Sequence, residues 1–183
     1  FELDDDQKTL LYLLRCAVHQ EKADPEILGR DYSGCDWERV MNLAKEHNIL
    51  PLAFYAAQEV PDFTVHPSYP ELTRQVMVMT AGQMQRTEAL LSLYRAFARA
   101  GVRLPLVMKG LVCRELYGEW ADFRPSADED LLIPKEDFRA VEKVLLQEGY
   151  RSSNPGVTER QLEDLQEVSF YHVRSGLHVE LHV

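Results

Sequence analysis

Arg124-Pro125-Ser126-Ala127-Asp128-Glu129-Asp130-Leu131-Leu132-Ile133-Pro134 is the stretch whose reading decides the fold. Its apolar run has the length of a strand, and Pro134 stops it. Residues two apart in a strand share a face and lie roughly 6.5 to 7 Å apart. Asp128 and Asp130 therefore point the same way, while Glu129 points to the opposite face with Leu131 and Ile133. Two carboxylates converge on one small volume.

The segment before this strand supplies the opposite charge. Leu104 to Met108 is a short apolar run of strand length, followed by Lys109-Gly110 and a helix-compatible segment, Leu111 to Tyr117. Gly110 at a strand-to-helix turn lets a phosphate approach the backbone, and the free N–H groups of a helix start favour anions. Lys109 adds a point charge, and Arg124 adds another just ahead of the acidic strand. A salt bridge from Arg124 to the acids is as good a reading as a phosphate contact.

Downstream, Lys135 to Glu148 has the pattern of an amphipathic helix ending at Gly149, and Arg151 to Gly156 is polar and reads as a loop. Glu167 to Val173 and Leu177 to Val183 predict a hairpin around Arg174-Ser175-Gly176. In its second strand Val179, Leu181 and Val183 form one face, and His178, Glu180 and His182 the other. If this strand neighbours the Asp128 strand, Glu180 completes a cluster of three acids. Close like charges raise one another's pKa, so such a cluster calls for a cation. Oxygen ligands suit Mg²⁺ or Mn²⁺, and two ions about 3.5 to 4 Å apart clamp the attacking and leaving oxygens of phosphoryl transfer.

The first hundred residues read as helical. Asp4 to Asp6 are capping candidates before Leu10, Leu11, Leu13, Leu14, Ala17 and Val18. A second helix starts at Asp36 with Trp37, Val40, Met41 and Ala44 on one face, and a third runs from about Leu52 to Glu59. Val60 to Pro70 reads as a connector. Glu71 to Ala100 is the clearest helix, closed by Gly101 and roughly 45 Å long. Met77, Met79 and Met84 on it are read as core packing rather than a soft binding surface.

The order of elements predicts an α+β protein, with a helical subdomain over residues 1–101 and a core with a small mixed sheet over residues 102–183. The 183 residues suffice for one compact domain or two small ones, and 45% apolar with 27% charged residues is ordinary for a globular protein. Cys16, Cys35 and Cys113 form no CxxC pair, so neither a disulfide framework nor a zinc knuckle is indicated. A net charge of −10 disfavours a long nucleic acid as partner. Without a run of about 18 apolar residues or a basic, apolar leader, no membrane association and a cytoplasmic location are expected. The chain ends on its last strand, which points to a truncated core.

Three motifs in this order carry a resemblance: Leu106-Val107-Met108-Lys109-Gly110, the Arg124 to Ile133 stretch, and His178-Val179-Glu180-Leu181-His182. Together they resemble the uncharacterised bacterial nucleotidyltransferase family, within the nucleotidyltransferase superfamily that has the DNA polymerase β-like fold. The resemblance covers about Leu104 to Val183. It implies transfer of a nucleoside monophosphate from an NTP to an acceptor. Asp128 and Asp130 would bind two Mg²⁺ (or Mn²⁺) ions, and Glu180 the catalytic one, assisting deprotonation of the acceptor hydroxyl. Lys109 and Gly110 would hold the triphosphate. The acidic surface favours a small molecule or a protein as acceptor, and family members usually extend further, so acceptor contacts are expected beyond Val183. The chain departs from the superfamily pattern in two places. Lys109-Gly110 replaces the common Gly-Ser turn, which puts the usual serine–phosphate contact in doubt, and an acid, Glu129, stands inside the Asp-x-Asp.

Two other readings stay open. His178, Glu180 and His182 with Asp128 suit a mononuclear metal-dependent hydrolase, with both histidines as accessory ligands. Alternatively the chain is a catalytically silent, antitoxin-like binding module that holds a partner on its helical half. His19, His47, His66 and His172 are read as structural or surface residues.

Overall fold

The computed structural model describes residues 2–32, 34–165 and 167–183. It is an α+β protein with a helical N-terminal region and a small mixed sheet. It divides into two compact units, one formed by residues up to 83 together with 114–125, the other by residues 84–113 and 126–183.

The first unit is helical. Helices α1 (Asp5–Val18), α2 (Pro25–Asp31), α3 (Trp37–Glu46), α4 (Leu50–Ala57) and α5 (Pro61–Thr64) precede the long α6 (Tyr69–Arg99). Asp4 caps α1, its side chain accepting from the Gln7 backbone N–H while the Gln7 side chain accepts from the Asp4 N–H. Asp36 caps α3 in the same unit by accepting from Glu38 N–H. The helix α2 was not foreseen, although Asp24 as cap and Pro25 as first residue are ordinary start signals. Within the expected connector, Pro61 opens the single turn α5. The apolar stripes of α1, α3 and α4 meet in a core with Leu13, Val40, Met41, Ala44, Phe54 and Phe63 at its centre. Near it Lys22 Nζ lies 3.0 Å from the centre of the Tyr55 ring and donates to the Tyr55 carbonyl at 2.7 Å.

Helix α6 contributes residues up to Gln83 to this unit and the rest to the second. It ends as expected: Gly101 adopts φ +67°, and Val102 N–H returns to the Phe97 carbonyl at 3.1 Å. The reading of its methionines needs correction. Met77 and Met84 are 65% and 56% exposed, and Met79 alone of the three packs partly against a core. A helix this long cannot bury every apolar position, because its buried stripe covers only part of its circumference.

The second unit holds the sheet. Strands β1 (Leu106–Val107), β2 (Asp128–Leu132), β3 (Tyr150–Ser152), β4 (Glu167–His172) and β5 (His178–His182) are ordered β1-β2-β5-β4-β3. The strands β2 and β5 run parallel, and the other pairs are antiparallel. Strand β1 is shorter than the expected Leu104–Met108 run: Pro105 offers no N–H, and the chain turns at Lys109-Gly110. Strand β3 falls where a polar loop was expected to begin; Tyr150 is its one residue in the core. The hairpin of β4 and β5 turns where glycine predicts, with Gly176 N–H donating to the His172 carbonyl at 2.9 Å.

One face of the sheet packs Leu131, Phe170, Val179 and Leu181 against Leu90, Leu93 and Phe97 of α6 and against Phe138, Val141 and Leu145 of helix α8 (Phe138–Gln147). Side chains of this size each contribute about 2 to 3 kcal/mol when they leave water. With that face committed to the core, period-2 alternation delivers the polar residues of β2 and β5 to the other face. Two further single-turn pieces complete the chain, α7 (Leu111–Glu115) and α9 (Glu159–Asp164), with a 3₁₀ turn at Gly118–Phe123. Among the described residues no helix is long and apolar enough to cross a membrane, and the three cysteines are free thiols.

Candidate metal and phosphate site

Asp128, Asp130, Glu180, His178 and His182 share one face of adjacent strands. The parallel register of β2 with β5 sets Asp128 beside His178, Asp130 beside Glu180 and Leu132 beside His182. Paired residues on parallel strands project to the same side, so the two expected ligand strands meet without any help from a loop. Strand β4 extends this face, with Glu167 beside His182 and Ser169 beside Glu180.

Asp130 is the centre of the arrangement and the most buried of Asp128, Asp130 and Glu180, 7% exposed. Its Oδ1 lies 3.0 Å from His182 Nε2, and its Oδ2 lies 3.3 Å from Lys109 Nζ. The same ammonium lies 3.5 Å from Asp128 Oδ2, so Lys109 bridges the two carboxylates. Burial pushes the Asp130 carboxyl upward, but the hydrogen bond with His182 and the contacts with Lys109 outweigh it and leave its pKa below the ordinary value. Contact with Asp130, then the charges of Asp128 and Asp130, raise that of Lys109. Glu180 has no such cation. Burial first, then the charges of Glu167, Asp128 and Asp130, raise its pKa. A lowered pKa on one acid thus sits beside a raised pKa on its neighbour, and a divalent cation among the carboxylates would offset their mutual repulsion.

The residues fit such a cation. Donor atoms of Asp130, Glu180 and His182 all lie within 4.8 Å of one another. Asp130 Oδ2 is buried and accepts no hydrogen bond of good geometry, with the Lys109 ammonium 3.3 Å away. Among the described residues this converging trio includes Asp130, where the hydrolase reading had named Asp128 and His178. His178 instead sets Nδ1 3.8 Å from Glu180 Oε1.

Glu129 has a role that the sequence reading missed. Its carboxylate, 1% exposed, accepts from Leu111 N–H at 2.7 Å and so satisfies the first turn of α7. The same oxygen lies against Gly110, which adopts φ +83°. Alternation does put Glu129 on the face opposite Asp128 and Asp130, where a buried charge has to find a donor. That requirement was the available signal, and the free N–H groups after Gly110 were the nearest candidates. Glu129→Leu is expected to lower stability by about 2 to 3 kcal/mol in urea denaturation, because Leu111 N–H is then left without its acceptor.

The remaining expected site residue, Arg124, follows the 3₁₀ turn, with its N–H donating to the Ala121 carbonyl at 3.3 Å. It belongs to the first unit, whereas Lys109, Gly110 and the three acids belong to the second. The other histidines have structural surroundings: His66 bonds Ser68 at 2.7 Å, and His172 stacks on Tyr150 and bonds Ser175 at 2.7 Å.

Comparison with known proteins adds one finding. A family model described as an uncharacterised nucleotidyltransferase matches residues 33–183, well over half of the chain. No curated protein and no solved structure gives a significant match.

Proposed function

The chain belongs to the uncharacterised nucleotidyltransferase family, and from that premise we propose that it transfers a nucleoside monophosphate from an NTP to a hydroxyl of a small molecule or protein, releasing pyrophosphate. The observation that carries this reading is the meeting of Asp128, Asp130 and Glu180 on one face beside Lys109. Membership supports the reaction class, and the carboxylate face supports assigning it to these residues.

Asp128, Asp130 and Glu180 would hold Mg²⁺ or Mn²⁺. When bound, such ions neutralise the charge that builds on the transferred phosphoryl group and on the leaving pyrophosphate. Lys109, whose Nζ now bridges two acids, is 55% exposed on a flexible stem and within reach of a triphosphate at the Gly110 turn. Gly110 leaves the backbone bare there. Glu180, beside Asp130 in the parallel register, is the carboxylate suited to take the acceptor hydroxyl's proton.

The test is binding of a non-hydrolysable NTP with Mg²⁺ or Mn²⁺, followed by calorimetry. Wild-type protein is expected to bind the nucleotide only with the metal, and Asp128→Asn together with Asp130→Asn to weaken it at least about 100-fold. If the wild-type chain shows no metal-dependent nucleotide binding, the transferase reading fails and the silent binding module replaces it.

A further inference from the structure

Resting on the transferase reading of the same face, we propose that Asp130, Glu180 and His182 form a mixed nitrogen–oxygen metal site that selects a divalent transition ion of the Mn²⁺ type over Mg²⁺. The selectivity comes from His182, which stands where a site made for Mg²⁺ would present another oxygen.

Three observations carry it. The donor atoms of Asp130, Glu180 and His182 converge within 4.8 Å, a set that Asp128 does not join. Asp130 is more than nine-tenths buried, and its Oδ2 accepts no well-aligned hydrogen bond, the Lys109 ammonium lying 3.3 Å away. Finally, His182 directs Nε2 into the acids, 3.0 Å from Asp130 Oδ1 and 3.9 Å from Glu167 Oε2.

The chemistry of the donors sets the preference. Mg²⁺ demands an octahedron of hard oxygen ligands and gives up water reluctantly. Neutral imidazole suits ions further along the first transition row, and affinity for a site with nitrogen rises from Mn²⁺ toward Zn²⁺. As a ligand His182 would carry its proton on Nδ1 and turn the Nε2 lone pair to the ion, while Glu167 remains beside it as an outer partner. Lys109, 3.3 Å from Asp130 and 3.5 Å from Asp128, bridges the two aspartates beside this trio.

The alternative is that His182 only holds Asp130 in place. Titration of the nucleotide-free protein with Mg²⁺, Mn²⁺ and Zn²⁺ distinguishes the two, with thermal melts to establish that each variant is folded. Wild type is expected to bind Mn²⁺ at least about tenfold more tightly than Mg²⁺. His182→Ala should weaken Mn²⁺ about tenfold or more and Mg²⁺ by less than about twofold. His182→Gln, which can keep a hydrogen bond to Asp130, should behave like His182→Ala.

Equal losses of Mg²⁺ and Mn²⁺ in His182→Ala, or restoration by His182→Gln, would assign the ring to positioning and overturn the proposal. So would a wild-type protein that binds Mg²⁺ as tightly as Mn²⁺. If those results come with intact metal-dependent nucleotide binding, the transferase reading stands without the nitrogen ligand. If nucleotide binding is absent while Mn²⁺ binding follows His182, the metal site survives and the transferase reading does not.

Discussion

Asp130→Asn is expected to slow nucleotidyl transfer, followed as pyrophosphate release, by about 1,000-fold. The case for so large a loss lies in what Asp130 touches. It is the one acid in contact with both Lys109 and His182, and it pairs directly with Glu180 across β2 and β5. An asparagine keeps the shape and one acceptor oxygen but removes the charge that draws in a cation. The His182 ring, now 3.0 Å from a carboxylate, would face an amide whose NH₂ end also competes as a donor. The substitution should leave the fold intact: Asp130 lies on the ligand face, and its strand is held by Leu131 on the other. Turnover within tenfold of wild type in a folded Asp130→Asn protein would move the chemistry away from this face.

Gly110→Ala is expected to cost about 3 kcal/mol of stability and to weaken NTP binding together with it. Two terms add. At φ +83° an L side chain is strained, which costs on the order of 1 kcal/mol. A Cβ at this position would also stand 2.1 Å from Glu129 Oε2 and 2.9 Å from the Asp128 backbone oxygen. The carboxylate cannot retreat cheaply, because it is buried and tied to Leu111 N–H, and the backbone oxygen belongs to β2. Overpacking of this kind adds about 1 to 3 kcal/mol. Gly101→Ala is the internal control. Its φ is similar, +67°, but its Cβ would meet nothing within 4 Å, so only the first term applies. Denaturation curves for the two variants therefore separate backbone strain from the close approach at the Lys109-Gly110 turn. Equal losses would mean that the turn has room to spare.

How much of this was legible in the sequence follows from the range of each constraint. Asp128 and Asp130 could be placed on one face because the alternation of a strand is local and has a period of two. Likewise Val179 and Leu181 announced the inner face of β5, and Gly101, Gly149 and Gly176 announced where elements end. The adjacency of β2 and β5 lay further out of reach. Nothing within either segment states which strand is its neighbour, and a parallel pair separated by some fifty residues is joined only through the rest of the unit. The contact between His182 and Asp130 is a step more remote again. The two are not register partners, since His182 pairs with Leu132, so their meeting depends on side-chain reach along the strand.

Other features were missed although their signals were present. The helix α2 begins with Asp24-Pro25-Glu26, a pattern that short helices share with turns. Strand β3 has three residues and buries one of them, too little for any period to show. The burial of Glu129 required knowing that α7 starts beside β2, which a local pattern cannot say.

Lys109 has a consequence for the protein at rest. Its ammonium is a counter-ion that cannot diffuse away, held 3.3 Å from Asp130 and 3.5 Å from Asp128 by its own chain. Two neighbouring negative charges are therefore never left facing each other bare, whether free divalent ions are plentiful or scarce. In an acidic protein of net charge −10, this tethered cation offsets the mutual repulsion of the two aspartates without a diffusible ion.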